Sequence, residues 1–381
     1  MSRVLRILHV ASGDLWAGAE VQAFTLMSHL AQMPRTEVGA VVLNEGILAD
    51  RLRSVGVSVC VLDELKIAPL RIFIQLRSVL RGWKPDVIHT HRQKENILGS
   101  LANRSCRDVP SVRTVHGASE HARTAGWAGV RQRMVAGVDR WCGHALQQKV
   151  IAVTQELGAR LMVEFPREKV AVIENGVDVE QVRRDRGAAE FRKSEPDVTH
   201  IGIAGRLVQV KRVDLFMETA ALLLREHPER IWRFHIFGDG PMRLELRALS
   251  RSLQLGERVL FHGHRQDIAT CVGGLDALVI CSDHEGMPMI SLEAAALDVP
   301  TVAHAVGGLV EVVPREFLVV RHDSCGYRDG ILCAVREDGR DIAAKGARRI
   351  LERFSAQRNA ERIRELYEQL VEERSGNGAG K

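Results

Sequence analysis

The sequence predicts two α/β domains, each built on a parallel β-sheet. Short apolar runs alternate with helix-spaced patterns along most of its 381 residues, which is the mark of strand–helix–strand units. One stretch, "VDVEQVRRDRGAAEFRKSEPDV" (177–198), interrupts the alternation because it is charged and poor in strand formers. The length suits two domains of ordinary size.

The first domain is expected over 1–182. Its strands are "VLRILHV" (4–10), "VGAVVL" (38–43), "VSVCVL" (57–62), "DVIHT" (86–90), "SVRTV" (111–115), "VIAV" (150–153) and "VAVI" (170–173). Helices are expected between them, at 19–33, 47–55 and 69–81. In 128–146, Val130, Met134, Val138, Trp141 and Ala145 recur at helical spacing, which predicts a helix packing that face into the core. Arg133 and Arg140 on its other side would also suit a membrane surface. A linker over 183–197 follows. The second domain (198–340) has strands "HIGIAG" (200–205), "WRFHIFG" (232–238), "RVLFHG" (258–263), "ALVICS" (277–282) and "PTVAH" (300–304), with helices near 212–226, 241–254 and 288–298. A last helix runs over 340–373. Parallel sheets bind ligands beyond the carboxyl ends of their strands, so two facing domains would hold a ligand in the cleft between them.

Composition narrows the function. The chain is 45% hydrophobic and 27% charged, as in soluble globular proteins. Aromatics make up only 4%, which argues against a stacking platform for single-stranded nucleic acid. Seven cysteines, an odd number without a Cys-x-x-Cys pair, predict buried, reduced thiols in a cytosolic protein. The N-terminal "MSRVLRILHVASG" has too brief an apolar part for a signal peptide. No run approaches the roughly 18 apolar residues of a membrane span. A cytoplasmic protein is expected, at most peripheral on the inner face of the cell membrane. Residues 1–186 carry 26 Lys and Arg against 19 Asp and Glu, and residues 187–381 carry 27 against 29. The basic first half suits anionic lipid or an acidic acceptor, although an ordinary solvated surface accounts for the same charge.

Small or polar motifs follow several strands. "ASGDLWAGAE" places Gly13, Gly18 and Glu20 after the first strand, where glycine lets a backbone approach a phosphate or sugar. It is not Gly-x-Gly-x-x-Gly, and a tight turn explains it equally well. His89 and His91 of "HTH" share a strand face, but no carboxylate or cysteine pattern accompanies them, so no metal is expected. His116 of "TVHG" follows a strand and could donate a hydrogen bond or a proton in the cleft, or merely cap the strand end. Arg206 and Lys211 in "IAGRLVQVKRVD" stand at a strand end and a helix start, a placement that suits a pyrophosphate. "FGDGPMR", with Gly240, and "HAVGGLVEVV", with Gly307 and Gly308, are Gly-rich turns that could offer backbone N–H groups to phosphate. In "DHEGMPMISLE", Glu285 precedes the helix that Pro288 opens and Glu293 falls on its second turn. The two carboxylates are too far apart for an acid/base pair and are better placed to hold hydroxyls on two parts of one ligand.

These residues resemble glycosyltransferase family 4. The diagnostic match is Glu-x7-Glu, Glu285 "GMPMISL" Glu293. "AGAE", "THRQKENILGSL", "TVHG", "VIAVTQEL", "VIENGVD", "GRLVQVKRVD", "FGDGPMRLEL", "FHGHRQDI" and "AVGGLVEVV" stand around it in the family's order, over about residues 4–315. The resemblance implies the GT-B fold: two Rossmann-like parallel-sheet domains facing a central cleft. The N-terminal one would bind the acceptor and the C-terminal one the nucleotide sugar, with the last helix (341–381) crossing back to the first domain. It implies a retaining, metal-independent hexosyltransferase that needs no cofactor beyond its nucleotide-diphospho-sugar donor. Glycolipid, exopolysaccharide or lipopolysaccharide synthesis is the expected setting, with a glycan or lipid-linked acceptor, no nucleic acid, and peripheral contact with an anionic membrane surface.

Carried over by position, Arg206 and Lys211 neutralise the diphosphate, Glu285 holds sugar hydroxyls, Glu293 binds the ribose, and His116 lies near the sugar's reacting end. Gly18, Gly240, Gly286, Met287 and Pro288 complete the donor site. The chain departs from the pattern at Ala17-Gly18, where the family has a double glycine, at Glu174, where proline is common, and beyond Pro314. Other readings are a sugar-nucleotide epimerase on the same fold, a nicotinamide-dependent oxidoreductase with Glu45 as its ribose carboxylate, and a non-catalytic sugar-nucleotide sensor.

Overall fold

The computed structural model describes residues 3–13, 16–117 and 126–378. The chain divides into two compact units, Met1–Gly176 with Ala356–Lys381, and Val177–Ser355.

The first unit holds a seven-stranded sheet: β1 (Leu5–Ala11), β2 (Thr36–Val42), β3 (Ser58–Val61), β4 (Val87–Thr90), β5 (Ser111–Val115), β6 (Lys149–Ala152) and β7 (Val170–Val172). Every expected strand of this domain is present. The order is β3-β2-β1-β4-β5-β6-β7, and all pairs are parallel. Winding proceeds outward from β1 in one direction and from β4 in the other, so the strand order reverses between them. β1 is a near-continuous apolar run because helices cover both faces of the sheet. On one face the helix Gly18–Gln32 buries Ala23, Leu26, Met27 and Leu30, and the last helix adds Ala360, Ile363, Tyr367 and Leu370 at helical spacing.

The second unit holds β8 (Thr199–Ala204), β9 (Trp232–Phe237), β10 (Val259–Gly263), β11 (Ala277–Ile280), β12 (Thr301–His304) and β13 (Leu318–Val319). The order is β10-β9-β8-β11-β12-β13, again parallel, with the reversal between β8 and β11. Its core is anchored by fully buried Phe216, Trp232, Phe234 and Phe317. The two-residue β13 lies beyond the last strand legible in the sequence; it is too short to show a period.

Three segments differ from expectation. The stretch read as a linker forms the helices Val179–Asp185 and Glu190–Ser194 and belongs to the second unit. Its arginines bond to the ends of other helices: Arg183 Nε donates to Ala296 O at 2.9 Å, and Arg192 Nε to Gly274 O at 2.9 Å. Cations at helix C-termini are favourable, and a charged composition therefore reads as linker although it docks. The last helix is two helices, Gly339–Arg353 in the second unit and Ala356–Gly378 in the first. Phe354, buried at the break, accepts a hydrogen bond at its carbonyl from Val177 N–H at 2.8 Å.

The third difference concerns the helix Gly126–Ala145. Val130, Met134, Val138 and Trp141 are exposed, not core. Cys142 and Gly143 are buried, and Asp139 is bound at 3.0 Å by Arg113. Apolar periodicity identifies the buried face only when that face is apolar, and here buried Arg113 paired with half-buried Asp139 takes its place. Of the cysteines, Cys142, Cys271 and Cys281 are buried, the other four are half-buried, and all seven are free.

Candidate active site

At a reversal of strand order, loops leaving the carboxyl ends of adjacent strands diverge and open a crevice. In the second unit the strands are β8 and β11, and most predicted donor residues sit on their loops. β8 runs into Gly205, Arg206 and a short turn of helix, Gln209–Lys211. β11 runs through Ser282 to Glu285, Gly286, Met287 and Pro288 and into the helix Met289–Ala296. Lys211 Nζ donates to Glu285 Oε1 at 2.6 Å, and Ser282 Oγ donates to the same oxygen at 2.6 Å. Gly205, Arg206, Lys211, Ser282 and Glu285 line one hollow with an apolar base of Ile203, Ile236 and Ile280. Arg206 is exposed and forms no ion pair with any described residue. The sequence marked Lys211 and Glu285 for different parts of a ligand; the fold makes them partners across 74 positions of chain.

Backbone contacts fix these loops. Gly238 has φ +138°, and a Cβ there would stand 1.8 Å from Gly205 O. Gly307 has φ +55°, and a Cβ would stand 1.9 Å from Glu285 O. Gly308 N–H donates to Gly286 O at 2.8 Å. Gly240 N–H is taken by Asp239 Oδ1 at 2.8 Å, and a Cβ at Gly240 would press on Leu207 O at 2.5 Å. These glycines therefore allow loop-on-loop packing. Pro288 is the residue before the helix Met289–Ala296, which has no side-chain cap; Met287 is buried and Glu293 half-buried one turn on.

The loop is anchored on its far side by residues the sequence did not flag. Asp283 Oδ1 accepts from Arg212 Nη1 at 3.3 Å and faces His322 Nε2 at 3.1 Å. His322 stacks on His304, whose Nδ1 donates to Ser282 O at 2.9 Å. No motif announces this, because the partners come from four separate loops.

In the first unit the reversal lies between β1 and β4. Gly18 is the exposed first residue of the helix Gly18–Gln32, and Ala17 before it supplies no side-chain cap. Asp14 and Leu15 of the same loop lie outside the described residues. His116 follows β5 and ends a row of imidazoles: its Nε2 is 3.3 Å from His91 Nδ1, and His91 Nε2 is 3.0 Å from His9 Nδ1. His9 Nε2 and His116 Nδ1 are buried without a hydrogen-bond partner among the described residues. Nearby, Ser12 is hydrogen bonded to buried Glu95, and Arg92 is paired with Glu20. His89 and His91 do share a face, as their spacing implied; parallel pairing of His9 with His89 adds the third ring.

Ring nitrogens of His9, His89 and His91 approach within 4.8 Å of one another, close enough for a metal. The chemistry does not fit one well. His89 uses Nε2 on Thr114 Oγ1 at 2.7 Å and Nδ1 on the Tyr367 hydroxyl. All three rings are buried, and the group contains no carboxylate to offset a cation's charge. A chain of neutral imidazoles accounts for the geometry.

Burial holds His9 at about 3, His116 at about 4 (with the Arg92 charge as a lesser cause) and His235 at about 3. An unfolded histidine takes up its proton near 6.5. Between these values the unfolded chain binds more protons, so stability falls as pH drops below 6.5 and levels only near 3–4. Each group costs about 1.4 kcal/mol per pH unit inside that window. The melting temperature should be level from pH 7 to 8 and fall steeply below pH 6. A flat profile down to pH 5 would contradict neutral burial of these rings.

Among the described residues no helix is long and apolar enough to cross a membrane. The family model described as "Glycosyltransferase Family 4" matches residues 16–181, and that described as "Glycosyl transferases group 1" matches residues 198–352. The chain is 25% identical to the UDP-Gal:alpha-D-GlcNAc-diphosphoundecaprenol alpha-1,3-galactosyltransferase of Escherichia coli, over 96% of this chain and 97% of the relative. It is 27% identical to a D-inositol 3-phosphate glycosyltransferase of Saccharomonospora viridis, over 75% of this chain and 70% of the relative. Among solved structures, HepE of Anabaena in complex with UDP-glucose superposes with a TM-score of 0.79 at 20% identity, over 96% of this chain and 100% of that one. Sucrose-phosphate synthase of Thermosynechococcus elongatus gives 0.76 at 17% identity, over 96% and 99%.

Proposed function

The chain belongs to glycosyltransferase family 4 and has the two-domain GT-B fold, and from that premise we propose that it is a retaining hexosyltransferase drawing on a nucleotide-diphospho-sugar. The acceptor is a hydroxyl of a glycan or lipid-linked saccharide, in glycolipid or polysaccharide synthesis on the cytoplasmic side of the membrane. The observation that carries the reading is the Lys211–Glu285–Ser282 cluster at the β8/β11 reversal beside exposed Arg206. The E. coli relative's name specifies UDP-Gal and a diphosphoundecaprenol-linked acceptor, so UDP-hexoses and lipid-linked acceptors head the list to test.

Breaking the C1–O bond leaves negative charge on the diphosphate. Arg206 and Lys211 are assigned to meet that charge, which is transition-state stabilisation by preorganised cations. On donor binding Lys211 shifts from Glu285 to the diphosphate, and the freed carboxylate accepts hydrogen bonds from the sugar hydroxyls. Glu293 is assigned the ribose. The acceptor oxygen attacks C1 on the face the diphosphate leaves, and its proton passes to the departing phosphate oxygen. Neutral His116 is assigned a hydrogen bond to the transferred sugar, and Gly18 leaves room for substrate at its loop.

A panel of sugar nucleotides scored by binding tests the reading; it fails if none binds. Incubation with donor alone should leave the sugar unchanged, whereas an epimerised product would mark the enzyme as an epimerase. Two further outcomes are expected. Transfer should survive EDTA, because the two cations replace a divalent ion; loss of activity restored by Mg²⁺ or Mn²⁺ would contradict this. Glu293→Ala should weaken nucleoside diphosphate binding about tenfold, the worth of a charged hydrogen bond, and abolish any preference over the 2′-deoxy analogue. An unchanged preference would remove Glu293 from the ribose.

A further inference from the structure

We propose that His322, with Asp283 and His304, is a positioning residue for sugar transfer. The three brace the Ser282–Glu285 stretch from behind, so that Glu285 keeps its place once the donor has drawn Lys211 away. The inference rests on the transfer function proposed above. His322 follows β13, in the segment beyond Pro314 where the chain departs from the family pattern. His304, His322 and Asp283 all stand outside the lining of the hollow at the β8/β11 reversal. They touch no substrate there and act through Ser282 and Glu285.

The contacts place the protons. His304 Nδ1 is 2.9 Å from the Ser282 carbonyl, which only accepts, so that nitrogen carries its hydrogen. His322 Nε2 donates to Asp283 Oδ1 at 3.1 Å, and its Nδ1 accepts from the hydroxyl of buried Tyr327 at 3.0 Å. The two imidazoles stack with centroids 3.7 Å apart and planes 13° from parallel. The ring that holds the Ser282 carbonyl therefore rests on the middle member of a Tyr327–His322–Asp283 chain.

Glu285 Oε1 accepts from Lys211 Nζ and from Ser282 Oγ, each at 2.6 Å. When Lys211 turns to the diphosphate, Ser282 is the side chain left on that carboxylate among the described residues. It then aims Glu285 at the sugar, and His304 holds Ser282 by its carbonyl. The β8 side of the site is anchored separately: Arg212 Nη2 donates to Asp214 Oδ2 at 3.1 Å, and Asp283 N–H donates to Val210 O at 2.9 Å. Removing the His322 ring loosens the β11 side and leaves the cations for the diphosphate in place. Lost aim costs turnover, because reaction needs a near-attack geometry.

The test measures kcat at saturating donor and acceptor, and nucleoside diphosphate affinity, on His322→Ala, His322→Phe and His322→Gln. Phenylalanine keeps a ring against His304 but donates nothing; the glutamine amide can still donate to Asp283. His322→Ala and His322→Phe should lower kcat about 10–10²-fold. Their nucleoside diphosphate affinity should stay within about threefold of the parent, the split expected when an interaction matters only on the way to the transition state. His322→Gln should return kcat to within about fivefold of the parent, the worth of one hydrogen bond. Parent turnover in both the alanine and phenylalanine variants, a glutamine variant no faster than phenylalanine, or nucleotide affinity falling as far as kcat would each overturn the proposal. If the alanine variant does not fold, glutamine against phenylalanine decides by the same comparison. A parent protein that transfers sugar from no donor overturns the transfer function and the inference with it. An active parent indifferent to His322 overturns the inference alone.

Discussion

Lys211→Ala should lower sugar transfer about 10²–10³-fold, the usual cost of removing one group that meets charge developing in the transition state. Nucleoside diphosphate affinity should fall with it, because the ammonium is lost from the ground-state complex as well. Little of this can be blamed on folding. Lys211 lies on a short turn after β8, and its side chain bonds to Glu285. The orphaned carboxylate keeps the Ser282 hydroxyl, so the melting temperature should stay within about 4 °C of the parent protein. Normal activity in a folded variant would refute the assignment.

Glu285→Gln should separate the two halves of the donor. The amide can still accept from Ser282 Oγ but no longer holds Lys211 by charge. Affinity for a nucleoside diphosphate without its sugar should be kept or improved, since the ammonium no longer has to leave a carboxylate. Turnover should drop about 10²-fold, because the hydrogen bonds that orient the sugar weaken when the acceptor loses its charge. A variant that turns over normally, or that loses nucleotide binding tenfold, would show that Glu285 does not act on the sugar.

The ion pair itself was not legible in the sequence. Spacing shows that Glu285 and Glu293 stand before and within a helix, because both lie on one continuous segment. It does not show that Lys211 reaches Glu285, since that depends on β8 and β11 pairing at the reversal of strand order. Strands were legible because a two-faced buried sheet demands apolar runs, and all the longer ones were found. The histidine row was half legible: His89 and His91 share a strand face by period, but His9 joins them only through the register of β1 on β4. Gly240 and Gly307 announce tight backbone, but whether a phosphate or another loop occupies the space is decided by neighbours distant in the chain. The helix Gly126–Ala145 shows the limit of periodicity: an apolar stripe is equally regular whether or not the core receives it, and here Val130, Met134, Val138 and Trp141 are exposed.

The central claim is that the β8/β11 loops stabilise a departing nucleoside diphosphate while the acceptor attacks from the same face. It is tested most directly by the anomeric configuration of the first-formed product, read by ¹H NMR with the sugar nucleotide that binds most tightly. The mechanism predicts an α-linked product from an α-configured donor, with one nucleoside diphosphate released per transfer. A β-linked product from the same donor would contradict it.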